Sequence, residues 1–447
     1  MTAFSFAIVK TGSDEQNRLC IFFREILMRG RLTKKERSWI LYDVGNSAFT
    51  LLVTTIMPLY FNALAKAGGV SSVNYLACWG YAASISTIIV AFLGPVMGTI
   101  TDYKGLKKPI FLAFVLVGAG LCCLLGLLTY WLAFLVVFII AKSAYSASLV
   151  FYDSMLVDVT SDERSDEVSS AGYAWGYIGS VVPFIVCLLL VLMHDKIGIS
   201  QNTAFGFAFV ITALWWVVFT VPVLKNYKQL HYVEKREGMA IVGSFKRLGH
   251  TLKNVTKEKN VFLFLLAFFF YIDGVYTIIA MATSYGTSVG LESTSLLLAL
   301  LLTQFVAFPC ALIVGKLAKK YNTASLIRIC IIGYTCIAVF AIFLKSQWQF
   351  WVLAVAVGVF QGGIQALSRS YFARIVPNEQ SGEYFGLYDI CGKGASFMGT
   401  MLVSVMTQVS GSPSVGVGSI TVMFIIGIFL FNKAAALNEK PADAEAA

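Results

Sequence analysis

Long apolar stretches recur along the whole of this 447-residue chain and constrain its fold more than any other feature. A helix needs roughly 20 apolar residues to cross the hydrocarbon core of a bilayer. About twelve such runs can be marked, and we number them as predicted spans 1 to 12: 39–62, 75–100, 109–130, 131–157, 170–193, 203–224, 261–285, 293–317, 324–344, 349–375, 383–408 and 413–432. The boundary between spans 3 and 4 is the weakest, because only a short break around Tyr130 separates them.

The amino-acid composition agrees with a chain that lies largely in a membrane. Hydrophobic residues make up 58% and charged residues 13% of the sequence, whereas soluble domains carry about 25% charged residues. The net charge is +10, but the basic residues flank the apolar runs, which argues against a nucleic-acid partner. The nine cysteines lie mostly within the runs and are interpreted as small buried hydrophobes. Because the three histidines lie in loops, we expect no metal site, and we expect no cofactor.

The distribution of Lys and Arg predicts the orientation of the chain. An even number of spans places both termini on one side, and most basic residues precede span 1 or lie in the loops 2–3, 6–7 and 8–9. The opposite loops hold Lys66, Lys196 and Lys345. Since loops on the cytoplasmic side are enriched in basic residues, both termini are predicted to be cytoplasmic.

The spans form two sets of six, 39–224 and 261–433. The linker between them, 225–260, and the N-terminal segment, 1–38, each contain a basic amphipathic pattern that is typical of helices on a membrane surface. The tail, 434–447, is predicted to be disordered. Six plus six spans are the plan of a secondary transporter built from repeats. We therefore expect an all-α integral membrane protein with twelve transmembrane helices in two pseudo-symmetric halves.

Several short motifs resemble a known transporter family. The stretch GTITDYKGLKK after span 2 resembles the signature of the major facilitator superfamily, and span 8 ends in a similar hairpin, FPCALIVGKLAKKYN. Further motifs resemble the vacuole-effluxer-like branch (autophagy-related 22 type): WILYDVGNSAF, FYDSMLVDV, YIDGVYTI, GGIQALSRSYFARIVP and EYFGLYDICGK. The resemblance covers spans 1 to 11 and implies the major facilitator fold. It also implies a transporter of small molecules, with amino-acid efflux as the expected activity, acting as a monomer in the inner membrane of a bacterium.

The same resemblance implies a gating role for the signature residues Gly98, Asp102, Gly105, Lys107 and Lys108. It implies that the Asp102 side chain contacts the start of span 11, near Ser381 and Gly382. Free backbone N–H groups there favour an anion. The second hairpin departs from the family pattern, because Lys319 stands where an Asp is usual. We therefore expect no acidic gate from the hairpin of the second half.

Polar residues inside the spans are candidates for binding and coupling, because charged groups in a bilayer are rare and mostly functional. In span 1, Asp43 and Asn46 share one face, and Asp43 is either an interfacial carboxylate or an acid at the cytoplasmic mouth of a cavity. In span 10, Gln361, Gln365 and Arg369 form a polar line at i, i+4 and i+8. This line favours either substrate binding or hydrogen bonds that join helices.

Two further spans carry candidate residues. Span 4 has polar side chains on or beside one face: Lys142, Tyr145, Tyr152 and Asp153. Lys142 lies near mid-depth, so its ammonium must face protein or an aqueous cavity, in a binding role or in a structural ion pair. In span 11, Asp389 and Lys393 stand four residues apart with the acid first, an arrangement that favours mutual neutralisation.

Asp273 lies close to the centre of span 7, with Tyr276 and Thr277 on its polar face and no basic residue within four positions. Its depth matches that of Lys142 in span 4. We expect Asp273 to be the coupling residue or a substrate anchor. The alternative is a constant ion pair with Lys142 or Arg369 that holds the two halves together.

These features predict a secondary active transporter that moves a small polar solute by alternating access, coupled to protons or another ion. Opposite charges on Asp273 and Lys142 would suit a zwitterion such as an amino acid. The alternative is a transporter-derived receptor or a channel, although two unlike halves offer no repeated ring around a pore. The sequence contains no nucleotide-binding P-loop and no nucleophile and base at one depth, so we expect no enzyme.

Overall fold

A computed structural model describes residues 32–70, 72–234, 255–288 and 290–438, and this part of the chain is almost entirely helical. We name its long helices α1 to α12 in chain order: Lys34–Thr54 with Ile56–Ala67 (α1), Ser72–Thr101 (α2), Lys107–Leu125 (α3), Trp131–Ser154 (α4), Asp162–Leu192 (α5), Gln201–Asn226 (α6), Lys259–Ser288 (α7), Ser293–Leu317 (α8), Thr323–Ile342 (α9), Gln347–Ile375 (α10), Ser381–Asp389 with Ile390–Gly394 and Ala395–Ser410 (α11), and Pro413–Gly418 with Ile420–Asn438 (α12). Short helical turns follow α4 and α5 and precede α11, at Leu156–Val159, His194–Ile197 and Asn378–Gln380.

The helices have the length and surface of a membrane bundle. Eleven of those described are long and apolar enough to cross a bilayer, and they expose large apolar side chains such as Phe92 and Val218. The predicted span 11 corresponds to the three consecutive segments of α11, the middle of which, Ile390–Gly394, is a π-helix. A π-helical turn interrupts the regular hydrogen bonds and is frequent at functional sites. The architecture is thus the predicted all-α membrane fold of twelve helices.

The helix boundaries confirm some predictions and correct others. The weak division at Tyr130 is confirmed, since α3 ends at Leu125 and α4 begins at Trp131. The last helix continues to Asn438, so residues 434–438 are helical and the prediction of a disordered tail from 434 was wrong there. Most of the segments 1–38 and 225–260, with their predicted amphipathic helices, lies outside the described residues.

The two halves meet through a small number of helix pairs. α5 packs against α8 and α10, and α11 packs against α2 and α4. Glycine permits the close approach of α2 and α11, because a Cβ on Gly98 would overlap the backbone of Gly382, and a Cβ on Gly386 would lie 2.5 Å from the Cα of Pro95. Small residues at such crossings are what allow helix backbones to touch in membranes.

The first residues of the linker lie against the hairpin between α2 and α3. The backbone N–H of Val233 donates to the backbone carbonyl of Asp102 at 2.9 Å, and the backbone N–H of Lys104 donates to the backbone carbonyl of Val233 at 3.3 Å. Behind them, the Tyr227 hydroxyl donates to Asp158 at 2.5 Å. Burial and the adjacent carboxylate raise the pKa of Tyr227 above its ordinary value, so the phenol keeps the proton that it donates. The linker therefore begins at the hairpin that carries the signature residues.

Candidate functional site

A buried ion cluster centred on Arg369 connects the two halves. The Nη1 atom of Arg369 on α10 lies 2.9 Å from Asp153 Oδ1 on α4, and its Nη2 atom lies 3.5 Å from Asp43 Oδ2 on α1. Arg369 is only 1% exposed. A buried charge of this kind is stable only when it is paired and its hydrogen bonds are satisfied. The arrangement therefore holds α10 of the second half against α1 and α4 of the first.

The rest of the guanidinium is enclosed by a serine and by aromatic rings. Arg369 Nε donates to Ser169 Oγ at 2.9 Å, and Nη2 donates to the Ser169 carbonyl at 3.0 Å. The ring centroids of Tyr173 and Trp39 lie 4.3 and 4.6 Å from the guanidinium carbon. Such rings attract a cation through their π faces, and the planar guanidinium suits this geometry better than an ammonium would.

The carboxylate of Asp43 is held by its own set of donors. The Tyr152 hydroxyl donates to Asp43 Oδ2 at 2.7 Å, and Asn46 Nδ2 donates to Oδ1 at 3.1 Å. The Tyr145 hydroxyl lies 2.6 Å from Thr50 Oγ1 and 3.5 Å from Asn46 Oδ1, which extends the network towards the middle of the bundle. The guanidinium of Arg369 thus binds two carboxylates of the first half, Asp43 and Asp153.

The polar line of α10 faces α5. Gln361 and Gln365 are each 7% exposed. The Tyr177 hydroxyl donates to Gln365 Oε1 at 3.5 Å. Arg369, the next residue of the line, donates to Ser169, which also lies on α5. Gln365 and Arg369 therefore share a face, as the spacing predicts, and α5 is their common partner.

At the predicted cytoplasmic end, a charged contact joins α2 and α11, and we name it the first gate after the gating role predicted for its residues. Asp102 Oδ1 accepts a hydrogen bond from the backbone N–H of Gly382 at 2.7 Å, and Oδ2 accepts one from the backbone N–H of Glu383 at 3.0 Å. Lys107 Nζ lies 3.7 Å from Asp102 Oδ1 and donates to Ser381 Oγ at 2.9 Å. Asp102 and Lys107 are both fully buried. The contact expected at the N-terminus of α11 is therefore present, and the helix dipole favours it.

The remaining signature residues shape this hairpin or lie on its surface. Gly105 has a φ of +77°, a left-handed conformation that favours glycine. Gly98 lies against Gly382, as described above. Lys108, in contrast, is exposed and makes no contact with α11 in the described structure.

A second charged contact, which we name the second gate, joins α5 to the hairpin of α8 and α9 and to the end of α10. Lys319 Nζ is 2.7 Å from Glu167 Oε2, and Arg374 Nη1 is 2.8 Å from Asp166 Oδ2. The Thr323 hydroxyl also donates to Asp166 Oδ2, at 2.6 Å. Lys319 of the hairpin and Arg374 of α10 supply the cations here and α5 supplies the acids, whereas the hairpin of the first gate supplies the acid Asp102. Lys319, which departs from the family pattern at this position, therefore forms the ion pair between the hairpin and Glu167.

Known proteins share this arrangement of helices and motifs. Residues 32–444 match the family described as vacuole effluxer Atg22 like. The chain belongs to this family of major facilitator transporters. Its sequence is 44% identical over 408 residues to an uncharacterized MFS-type transporter, YxiO, of Bacillus subtilis (strain 168), an alignment that covers 90% of this chain and 95% of the relative. Autophagy-related protein 22 of Coccidioides immitis (strain RS) is 24% identical over 428 residues, covering 77% of this chain and 70% of that protein.

Solved structures agree on the fold of this Atg22-like protein. A bacterial homologue of the iron transporter ferroportin, in an outward-facing state, has a TM-score of 0.66 at 14% sequence identity, over 90% of this chain and 99% of the other. FucP, a major facilitator transporter in the outward conformation, has a TM-score of 0.65 at 11% identity, over 90% of this chain and 97% of the other. At such low identity these similarities show the major facilitator fold alone.

The alternative interpretation of Asp273, a constant ion pair with Lys142 or Arg369, was wrong for this Atg22-like protein. Asp273 pairs with neither Lys142 nor Arg369: Arg369 binds Asp43 and Asp153, and Lys142 Nζ lies 3.5 Å from the carbonyl of Ala83 on α2. Asp273 instead points towards α11 and accepts a hydrogen bond from the Thr277 hydroxyl at 3.2 Å. The reason is the rotation of each helix about its own axis. The depth of a residue in a span does not determine the direction in which its side chain points.

Other candidate residues take less central positions. Tyr276 is half-buried on α7, near Gly392 of α11. Asp389 is half-buried at the end of the first segment of α11. The side chain of Lys393 lies outside the described residues, so the expected pair of Asp389 and Lys393 stays a prediction.

Several residues of the cluster and of the two gates were not among the candidates predicted from the sequence. They are Trp39, Ser169 and Tyr173 around Arg369, and Asp166, Glu167 and Arg374 in the second gate. The acidic stretch DVTSDERSDEVS (158–169) contained a signal, because acids are favoured in the first turns of a helix. The predicted spans leave this stretch out, because span 5 is predicted to begin at 170, whereas α5 begins at Asp162.

Proposed function

We propose that this protein is a secondary active transporter that moves an amino acid or a similar small polar solute across the inner membrane of a bacterium, coupled to protons. Membership of a major facilitator family supports alternating access, and the description of that family refers to a vacuole effluxer. The observation that carries the proposal is the buried cluster of Arg369, Asp43 and Asp153. It is built from both halves and lies where they must separate for the cytoplasmic side to open.

The cluster has the chemistry to bind a zwitterion. A guanidinium can bind a carboxylate with two parallel hydrogen bonds, and the paired acids can bind an ammonium group. In the state described, these groups satisfy one another. When α10 moves away from α1 and α4, the charges lose their partners inside a low-dielectric cavity. A substrate that carries both charges replaces the lost contacts and so stabilises the open state.

The contacts between the halves indicate which state is described. Both gates and the Arg369 cluster lie at the predicted cytoplasmic end of the bundle, and all three are formed. We therefore interpret the structure as closed to the cytoplasm. Transport requires that these contacts break together, because each of them joins one half to the other.

Uptake into liposomes tests the function. Purified protein in sealed liposomes should accumulate at least one radiolabelled amino acid under a pH gradient, with saturation, and a protonophore should abolish the accumulation. The same amino acid should raise the melting temperature of the purified protein, because a ligand that binds the folded state stabilises it. Flux without saturation would indicate a channel. If no amino acid is taken up and none stabilises the protein, the assignment of an amino-acid substrate is wrong.

A further inference from the structure

Asp273 lies in an environment unlike that of the acids in the Arg369 cluster. It is fully buried, and its Oδ2 atom has no hydrogen-bond partner. The Oδ1 atom accepts from the Thr277 hydroxyl at 3.2 Å. On the facing helix α11, a Cβ added to Gly399 would lie 2.7 Å from Asp273 Oδ1. The carboxyl group thus fits into a gap that the absence of a side chain at Gly399 leaves open.

The charged groups on the helices around α7 bind elsewhere or lie at other levels. On α10, Arg369 and Arg374 bind acids of the first half. On α9, Arg328 donates to Asn432 at 2.8 Å, and on α12 the ammonium of Lys433 lies over the Phe429 ring. Other titratable side chains on these helices and on α7 include Tyr276, Lys316, Tyr334, Glu383, Asp389 and Lys393. None of the described basic side chains forms an ion pair with Asp273.

Thr277 connects this carboxyl group to a cavity. Besides donating to Asp273, Thr277 lines an apolar cavity of ≈ 90 Å³ inside the second half. Tyr285 and Leu344 also line it, and both lie next to predicted outer loops. The cavity is therefore on the predicted outer side of Asp273, whereas the gates and the Arg369 cluster are on the other side.

We propose that Asp273, Thr277 and the gap at Gly399 form a proton-binding site inside the second half, which receives its proton from the outer side through this cavity and lies apart from the Arg369 cluster. A charged carboxylate buried without a cation is strongly unfavourable, whereas the neutral acid is tolerated. Thr277 is the positioning residue that holds Oδ1 and leads to the cavity. That this proton couples to transport rests on the proposed function, but the existence of the site does not.

The surroundings favour a proton over a metal cation. Hard cations take about six or more oxygen ligands. In the described structure, the oxygens in hydrogen-bond contact at this point are those of the Asp273 carboxyl group and the Thr277 hydroxyl. A proton needs one oxygen only, and Asp273 Oδ2 offers it.

Infrared difference spectroscopy of the purified protein in lipid, recorded while the pH is changed, tests the site without any substrate. Asp273→Asn should remove one C=O band of a protonated carboxylic acid. Thr277→Val should keep the band but shift it to higher frequency, because Oδ1 loses its donor, and Thr277→Ser should restore the wild-type position. Thr303→Val is the matched control: Thr303 lines the same cavity but donates to the carbonyls of Ala299 and Ala354, so the band should not change.

The outcomes separate the site from its role in coupling. An unchanged spectrum in Asp273→Asn, or an unshifted band in Thr277→Val, would overturn the proton site, and the second variant decides if the first folds poorly. In liposomes, Asp273→Asn should lose accumulation driven by a pH gradient but keep exchange of substrate, because the amide imitates the neutral acid. Accumulation driven by a sodium gradient would overturn the coupling role of this proton. A wild-type protein that shows the band but transports no amino acid would contradict the proposed function and leave the site intact.

Discussion

At the scale of single residues, Arg369 sets the character of the site. Its guanidinium bonds to Asp43, Asp153 and Ser169 and lies between aromatic rings of Trp39 and Tyr173. Each of these partners replaces water that the buried charge has lost. Neither an ammonium nor an amide of similar length can make the same set of contacts, because the guanidinium is planar and has five donors.

We expect Arg369→Gln to lower the free energy of unfolding by about 3–5 kcal/mol, because the buried Asp43 and the part-buried Asp153 lose the cation that they bind. Adding Asp43→Asn and Asp153→Asn should recover part of that loss, since it removes the two carboxylates that Arg369 binds. Thermal unfolding of the purified variants measures both effects. Transport should be absent from both proteins. Equal stability of Arg369→Gln and the wild type would mean that the cluster is not buried as described.

At the scale of elements, α11 links three features of the molecule. Its N-terminus binds Asp102, its middle is the π-helical segment Ile390–Gly394, and its second α-helical segment places Gly399 against Asp273. A π-helical segment is a point at which a helix can change its bend. The proton site and the first gate therefore lie on either side of the same irregular turn.

Asp102→Asn should weaken the state closed to the cytoplasm, because the amide cannot accept from both Gly382 and Glu383 as the carboxylate does. The amide protons of Gly382 and Glu383 should exchange faster with deuterium, and transport should fall with little loss of expression. Lys104→Gln is the control on the same hairpin, since its exposed ammonium pairs with Glu234 and with no other acid among the described residues. Wild-type exchange and transport in Asp102→Asn would remove this residue from the gate.

At the scale of the whole molecule, the two halves close with gates of opposite polarity. In the first half, the hairpin presents the acid Asp102 to a helix N-terminus. In the second, the hairpin presents Lys319 to Glu167 of α5, beside the pair of Arg374 and Asp166. A pseudo-symmetric fold can thus close at both places although the sequences of the hairpins differ at this position.

Lys319→Glu should place two acids together and lower the population of the closed state, as should Glu167→Lys. Because Lys319 is 45% exposed on its side chain, the effect is expected to be at most about 1 kcal/mol for each variant. The double exchange of Glu167→Lys with Lys319→Glu should restore transport by re-forming the pair in reverse. A double variant as defective as the two single variants would show that this pair does not act in closing.

The orientation of the whole chain can be tested by labelling. Cysteines introduced at Lys66, Lys196 and Lys345 should react with an impermeant reagent added outside the cell, because these basic residues lie in the loops predicted to be external. Labelling at position 196 from the cytoplasmic side alone would invert the predicted topology.

The sequence by itself determined the membrane class, the number of spans and the family. These follow from the length of apolar runs and from local motifs such as GTITDYKGLKK, which do not depend on how the helices pack. It also placed Asp43, Asp153 and Arg369 among the candidates, because charged groups inside spans are rare. Tertiary structure alone decided their partners. Whether Arg369 binds Asp273 or Asp43 depends on the rotation of helices that are far apart in sequence, and no local pattern encodes that rotation.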